Sequence, residues 1–108
     1  MLTRDMIPYG RENAISRPEL CEMTGLLDRQ VRRQIAELRA EDSDDDLVIA
    51  SSSRHGRGYF LTDKPDEIRA FIAEMLKRIR MVYRAIKVAR KKLHRIEQRE
   101  KYGKGLAG

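Results

Sequence analysis

Arg29, Gln30, Arg32, Arg33 and Gln34 stand within one run of six positions, and their side chains share a chemistry. An arginine guanidinium is a planar fork that can donate two hydrogen bonds to guanine O6 and N7. A glutamine amide both donates and accepts, matching adenine N6 and N7; lysine and glutamate suit base reading less well. Interleaved with them, Val31, Ile35 and Leu38 recur at i, i+4 and i+7, the period of one helix face. The spacing predicts a helix that buries its aliphatic side and turns arginine and glutamine outward. An arginine-rich face also describes an ordinary solvated helix, so the surrounding elements bear on the choice.

The run before this helix reads as a shorter helix ending in a tight turn. Ser16 is the expected N-cap, Pro18 falls in the tolerant first turn, and Leu20 and Thr24 share a face. Gly25 follows the last periodic residue, where a left-handed conformation without a Cβ penalty stops a helix. Leu26 and Leu27 lead to Asp28, the expected cap of the second helix. Residues 16–38 therefore read as a helix-turn-helix. Upstream, Leu2, Met6 and Ile7 allow one or two helical turns before Pro8 and Gly10; residues 10–13 read as a turn, and Ala14 and Ile15 as a brief extended segment.

Downstream, the acidic run 41–46 is unfavourable beside the negative end of a helix dipole and reads as a solvated loop. It lacks the central Gly and distal Glu of a calcium loop. Residues 47–50 and 59–62 are rich in β-branched and aromatic side chains, and the glycine-containing stretch between them makes a two-stranded hairpin. Arg54, His55 and Arg57 at its tip suit phosphate or minor-groove contact, because small neighbours let the backbone come close. Such arginines also occur in hairpin loops that simply face water.

From Asp63 onward, Pro65 and the acids 66 and 67 favour a helix start, and no Gly or Pro follows until Gly103. The apolar residues Ile68, Ile72, Met75, Ile79, Val82, Ile86, Ala89, Leu93 and Ile96 alternate steps of four and three without a slip. That is a coiled-coil seam on a helix about 50 Å long. A domain of this size cannot cover such a stripe alone, so the seam from Ile72 to Ile96 is expected to pair with a second copy. Phe71, Leu76 and Tyr83 widen the stripe early, where the helix is expected to pack on the body. Arg78, Arg90 and Lys92 flank the seam with only Glu97 opposed. Antiparallel pairing would relieve that repulsion, as would neutralisation by DNA or by a partner's acidic loop.

The 108 residues amount to one small domain and an appendage. Residues 1–76 carry 11 Lys and Arg against 15 Asp and Glu, whereas residues 77–108 carry 12 against 2. A mildly acidic body with a strongly basic tail favours a polyanionic partner, nucleic acid first and anionic surfaces second. Cys21 is the single cysteine, which excludes an intrachain disulfide and suits a reducing cytoplasm. No apolar signal core and no membrane-spanning run is expected.

In this order, the residues SRPELCEMTGLLDRQVRRQIAELR, LVIASSS and GRGYFL resemble a bacterial winged helix-turn-helix domain. They look like the N-terminal DNA-binding domain of biotin-repressor-type regulators and like small winged-helix proteins of phages and mobile elements. The resemblance covers roughly residues 14–62, through the "EL…TG" of the first helix, the "V…I…LR" of the second and the "GRGY" closing the wing. It implies that Arg29, Gln30 and Arg33 enter the major groove, that Arg32 and Gln34 meet flanking phosphates, and that Arg54, His55 and Arg57 form the wing contact. Only about seven residues precede Pro8, where the family has a full first helix. The early C-terminal helix, or a second subunit, is expected to fill that side of the core.

The expected architecture is mainly α with a small β-hairpin wing, a winged helix-turn-helix followed by one long C-terminal helix. Its parts are a DNA-binding domain at 1–62, a basic dimerisation helix at 63–102 and a disordered tail at 103–108. The expected function is sequence-specific binding of double-stranded DNA by a homodimer, a repressor-like regulator of transcription in the bacterial cytoplasm, associated with the nucleoid. Winged helices also serve as protein-interaction modules, and a basic tail alone could serve a nonspecific nucleic-acid-binding accessory protein. No catalytic residue, metal site, cofactor or membrane association is expected, because Cys21, His55 and His94 form no constellation of nucleophile, base and orienter and no ligand pair.

Overall fold

A computed structural model of the chain describes residues 1–52 and 58–107, with side chains through 103. The protein is mainly helical, with one two-stranded antiparallel hairpin and a long C-terminal helix. Helix α1 spans Arg17–Thr24, α2 Asp28–Ala40 and α3 Pro65–Ala107; strands β1 and β2 span Val48–Ser52 and Gly58–Thr62. Short 3₁₀ turns at Arg4–Met6 and Arg11–Asn13 precede α1. The chain divides within α3 into two units, Met1–Ile72 and Ala73–Gly108.

In the first unit the local signals act as their chemistry requires. Ser16 caps α1, its Oγ accepting from the Glu19 amide at 3.2 Å and donating to the Glu19 carboxylate at 3.0 Å. Gly25 ends α1 in the left-handed region at φ 73°, its amide donating to the Cys21 carbonyl. The cap of α2 differs from the expectation: Leu27 is the N-cap and Asp28 the first helical residue. The orphan Leu27 amide donates to Gln30 Oε1 at 2.8 Å, so the Asp28 carboxylate is left to pair with cations. At the start of α3, buried Thr62 accepts from the Lys64 amide at 3.1 Å and donates to Glu67.

Strand β2 is the centre of this unit. On one side it pairs with β1 from Val48↔Thr62 to Ser52↔Gly58. On the other, the N-terminal segment bridges it at Tyr9↔Leu61 and Ile15↔Tyr59. The core gathers Leu2, Ile7, Leu20, Val31, Ile35, Ile49 and Tyr59, with Met6, Ile15, Cys21, Leu26, Leu38 and Leu61 partly buried around it. Leu2 and Ile7, from the N-terminal segment, are among its buried residues. Within the first unit, Ile68 and Phe71 are only half-buried. Arg39 ties the end of α2 in place: its Nε donates to the Ile49 carbonyl at 2.9 Å, and its guanidinium lies over the Tyr59 and Phe71 rings.

The acidic loop is anchored as well as solvated. Arg4 forms a two-pronged pair with the Asp45 carboxylate, which also accepts from Ser43 Oγ and the Leu47 amide. The Arg4 guanidinium, with the Leu47 amide next, holds the Asp45 carboxyl well below the usual carboxylate range. A depressed native pKa contributes stability above the unfolded value, near 3.8, and loses it as pH falls through the folded value. The thermal midpoint of the wild type is therefore expected to fall more steeply than that of Asp45→Asn below about pH 4. The gap between the two should close toward the acid end of the titration; a gap independent of pH would show that the charge on Asp45 contributes nothing.

In the second unit α3 runs on to Ala107, past Gly103, where the sequence suggests a helix end and a disordered tail. Glycine inside a helix costs only about 1 kcal/mol relative to alanine, a penalty that a long helix absorbs. Leu76 and Tyr83 are exposed. No helix among the described residues is long and apolar enough to cross a membrane.

Candidate nucleic-acid interface

Val31 and Ile35 are fully buried on α2, which leaves Arg29, Arg32 and Arg33 on its exposed side. Arg29 and Arg33 are four residues apart, one helical turn, in the N-terminal half of α2. Among the described residues neither makes an ion pair, so both forks are available to an incoming ligand.

Asp28 organises the cations beside them. One oxygen of its carboxylate receives Arg17 Nε at 3.0 Å and the other Arg32 Nε at 3.1 Å. The closest approach of Arg32 to this carboxylate is through Nε, and both side chains remain about half-exposed. Arg17, at the first position of α1, has its pKa raised by the Tyr59 side chain first and by Asp28 after it. The sequence reading overlooks this residue. Its signal was present, because a cation at the positive end of a helix dipole is unfavourable without a nearby anion. The anion lies eleven residues away, across the turn.

The two glutamines take structural bonds as well. Gln30 Oε1 accepts from the Leu27 amide, which occupies one of its two lone pairs and leaves its amide group as a free donor. Gln34 is half-buried, and its Oε1 accepts from the Leu2 amide at 2.8 Å. A residue expected at a DNA phosphate therefore fastens the N-terminal segment to α2. The expected wing residues Arg54, His55 and Arg57 lie outside the described residues.

A cavity of about 420 Å³ lies at the opposite end of α2, lined by residues that include Leu38, Arg39, Asp45, Ile49, Ile68 and Phe71. It shares no residue with the arginine face. Cys21 is half-buried and packs against the core. On α3, six of the expected pairing residues, Ile72, Ile79, Val82, Ile86, Leu93 and Ile96, are between 41% and 61% exposed. Ala89 is exposed and Met75 intermediate.

Compared with protein families, curated proteins and solved structures, the chain matches none.

Proposed function

We propose that this chain is a winged helix-turn-helix protein that binds double-stranded DNA sequence-specifically as a homodimer and acts as a repressor-like regulator of transcription. The observation that carries this reading is the pair Arg29 and Arg33, exposed and unpaired one turn apart on the second helix of a two-helix unit. Beside it, Asp28 holds Arg17 and Arg32. Arg29 and Arg33 supply the forks for base edges, Gln30 a donor, and Arg17 and Arg32 the phosphate contacts that set register. Gln34 supports the reading helix from behind through its bond to Leu2.

Selection of bound duplexes from a random pool, at moderate salt and with the full chain, tests this function. An enriched inverted repeat is expected, with half-sites about 34 Å apart or a multiple of it. Binding without enrichment would refute base reading, and absence of binding would refute the DNA assignment altogether.

The dimer is supported by the unbroken spacing of the seam and by the exposure of six of its residues. Ile79→Asp with Ile86→Asp is expected to convert the dimer to monomer in sedimentation at micromolar concentration, with the first unit still folded. An unchanged mass would show that these residues do not form the pairing surface.

A further inference from the structure

The seam accounts for only part of α3. Between residues 75 and 96 the sequence has nine lysines and arginines and no acid. Projected on a 3.5-residue period, Lys77, Arg80, Arg84, Lys87, Lys91 and Lys101 step by three and four residues along one file, continued by His94 and Gln98 between Lys91 and Lys101. This file lies on the pole of the helix opposite the apolar seam. All six cations are exposed, and among the described residues none is ion-paired. Lys87 lies over the Tyr83 ring, 5.7 Å from its centroid.

Such a helix works against its own charge. Arg80 and Arg84, and Lys87 and Lys91, are like charges four residues apart, each pair destabilising a helix by about 0.2–0.5 kcal/mol. Solvated helix faces ordinarily offset this with interleaved acids, and here twenty-two consecutive residues contain none. A polyanion laid along the file would remove the repulsion.

We propose that this file on α3 is a second, sequence-independent nucleic-acid site that grips the phosphate backbone of duplex DNA while the apolar seam pairs the helices. From Lys77 to Lys101 the file is about 36 Å long at 1.5 Å per residue, close to one turn of duplex. The placement of the charge favours a duplex over a lipid surface. A membrane-bound amphipathic helix would have to bury its apolar face in the lipid, whereas here that face is the pairing seam and the file stands on the pole left open beside it, and the chain has no tryptophan to anchor at an interface. The proposal rests on the DNA-binding reading above but not on base recognition by α2.

The test uses the full chain carrying Lys77→Gln, Arg84→Gln, Lys87→Gln and Lys91→Gln together, with a mixed-sequence duplex and a salt titration. Each phosphate that is no longer neutralised takes about 0.9 from the slope of log affinity against log salt. The variant is expected to lose about 2–3.5 of that slope and at least about tenfold in affinity. A charge-conserving set, Lys77→Arg, Arg84→Lys, Lys87→Arg and Lys91→Arg, should retain the wild-type slope. An unchanged slope in the glutamine variant overturns the proposal, as does binding to phosphatidylglycerol vesicles that falls while duplex binding does not. Repeating the pool selection separates the two sites. Loss of slope with no preference in either protein leaves the α3 site standing and removes base reading; an intact preference with an intact slope does the reverse.

Discussion

Gly58→Ala is expected to destabilise the first unit by about 2–4 kcal/mol, a loss of more than about 10 °C in thermal midpoint for a unit of this size. Backbone strain at Gly58 itself is not the cause. A Cβ built on Gly58 would stand 2.4 Å from the Ile15 carbonyl oxygen and 2.5 Å from its carbon, and both are backbone atoms that no rotamer change can move aside. The Ile15 strand would have to retreat, breaking the pair of bonds in which Ile15 and Tyr59 exchange amide and carbonyl at 2.8 and 2.9 Å. Those bonds are one of the two backbone bridges that hold the N-terminal segment on β2, the other joining Pro8 and Gly10 to Leu61. Gly103→Ala provides the contrast, since nothing lies within 4 Å of its new Cβ. In a helix interior that change should be neutral or stabilising by up to about 1 kcal/mol. Equal melting curves for the two variants would show that the Ile15–β2 contact does not hold the fold together.

Arg33→Ala should cost about 1–3 kcal/mol in binding to the preferred duplex and flatten the preference at one base position. Val31 and Ile35 are the residues of this stretch that are fully buried, so removing an exposed, unpaired side chain should leave the melting temperature nearly unchanged. Arg33→Lys separates charge from geometry: the cation remains, the planar fork is lost, and affinity for mixed-sequence DNA should persist while the preference falls. Arg32→Ala should behave differently, weakening binding to all duplexes alike and also releasing Asp28 from one of its two cations. Competition binding with matched and singly mismatched duplexes measures all three. If Arg33→Ala leaves both affinity and preference intact, the reading face lies elsewhere.

Charge removal in the α2 pair and in the α3 file should be roughly additive, because the two sites lie in different units of the chain and share no residue.

The elements of this protein were legible in its sequence because each is written in interactions within a few positions. Ser16 and Glu19 form a reciprocal cap across one turn, Gly25 supplies a left-handed stop, and Val31 and Ile35 fall on one face because α-helical geometry puts them there. The uninterrupted three-and-four spacing on α3 likewise follows from a period rather than from packing. Those signals sufficed for the presence of the helices and the hairpin and for the outward placement of Arg29 and Arg33, but not for the cap of α2 or the end of α3. What the tertiary structure decided is which partners the polar side chains take. Gln34 meets the Leu2 amide 32 residues away, Arg4 meets Asp45 at 41, and Asp28 draws in Arg17 from another helix. None of these pairs has a spacing that a local rule could detect, since each distance is set by how α2 and the N-terminal segment pack around β2. The same holds for Gly58: nothing near it in sequence demands a glycine, and the requirement comes from the Ile15 backbone crossing where a side chain would otherwise stand.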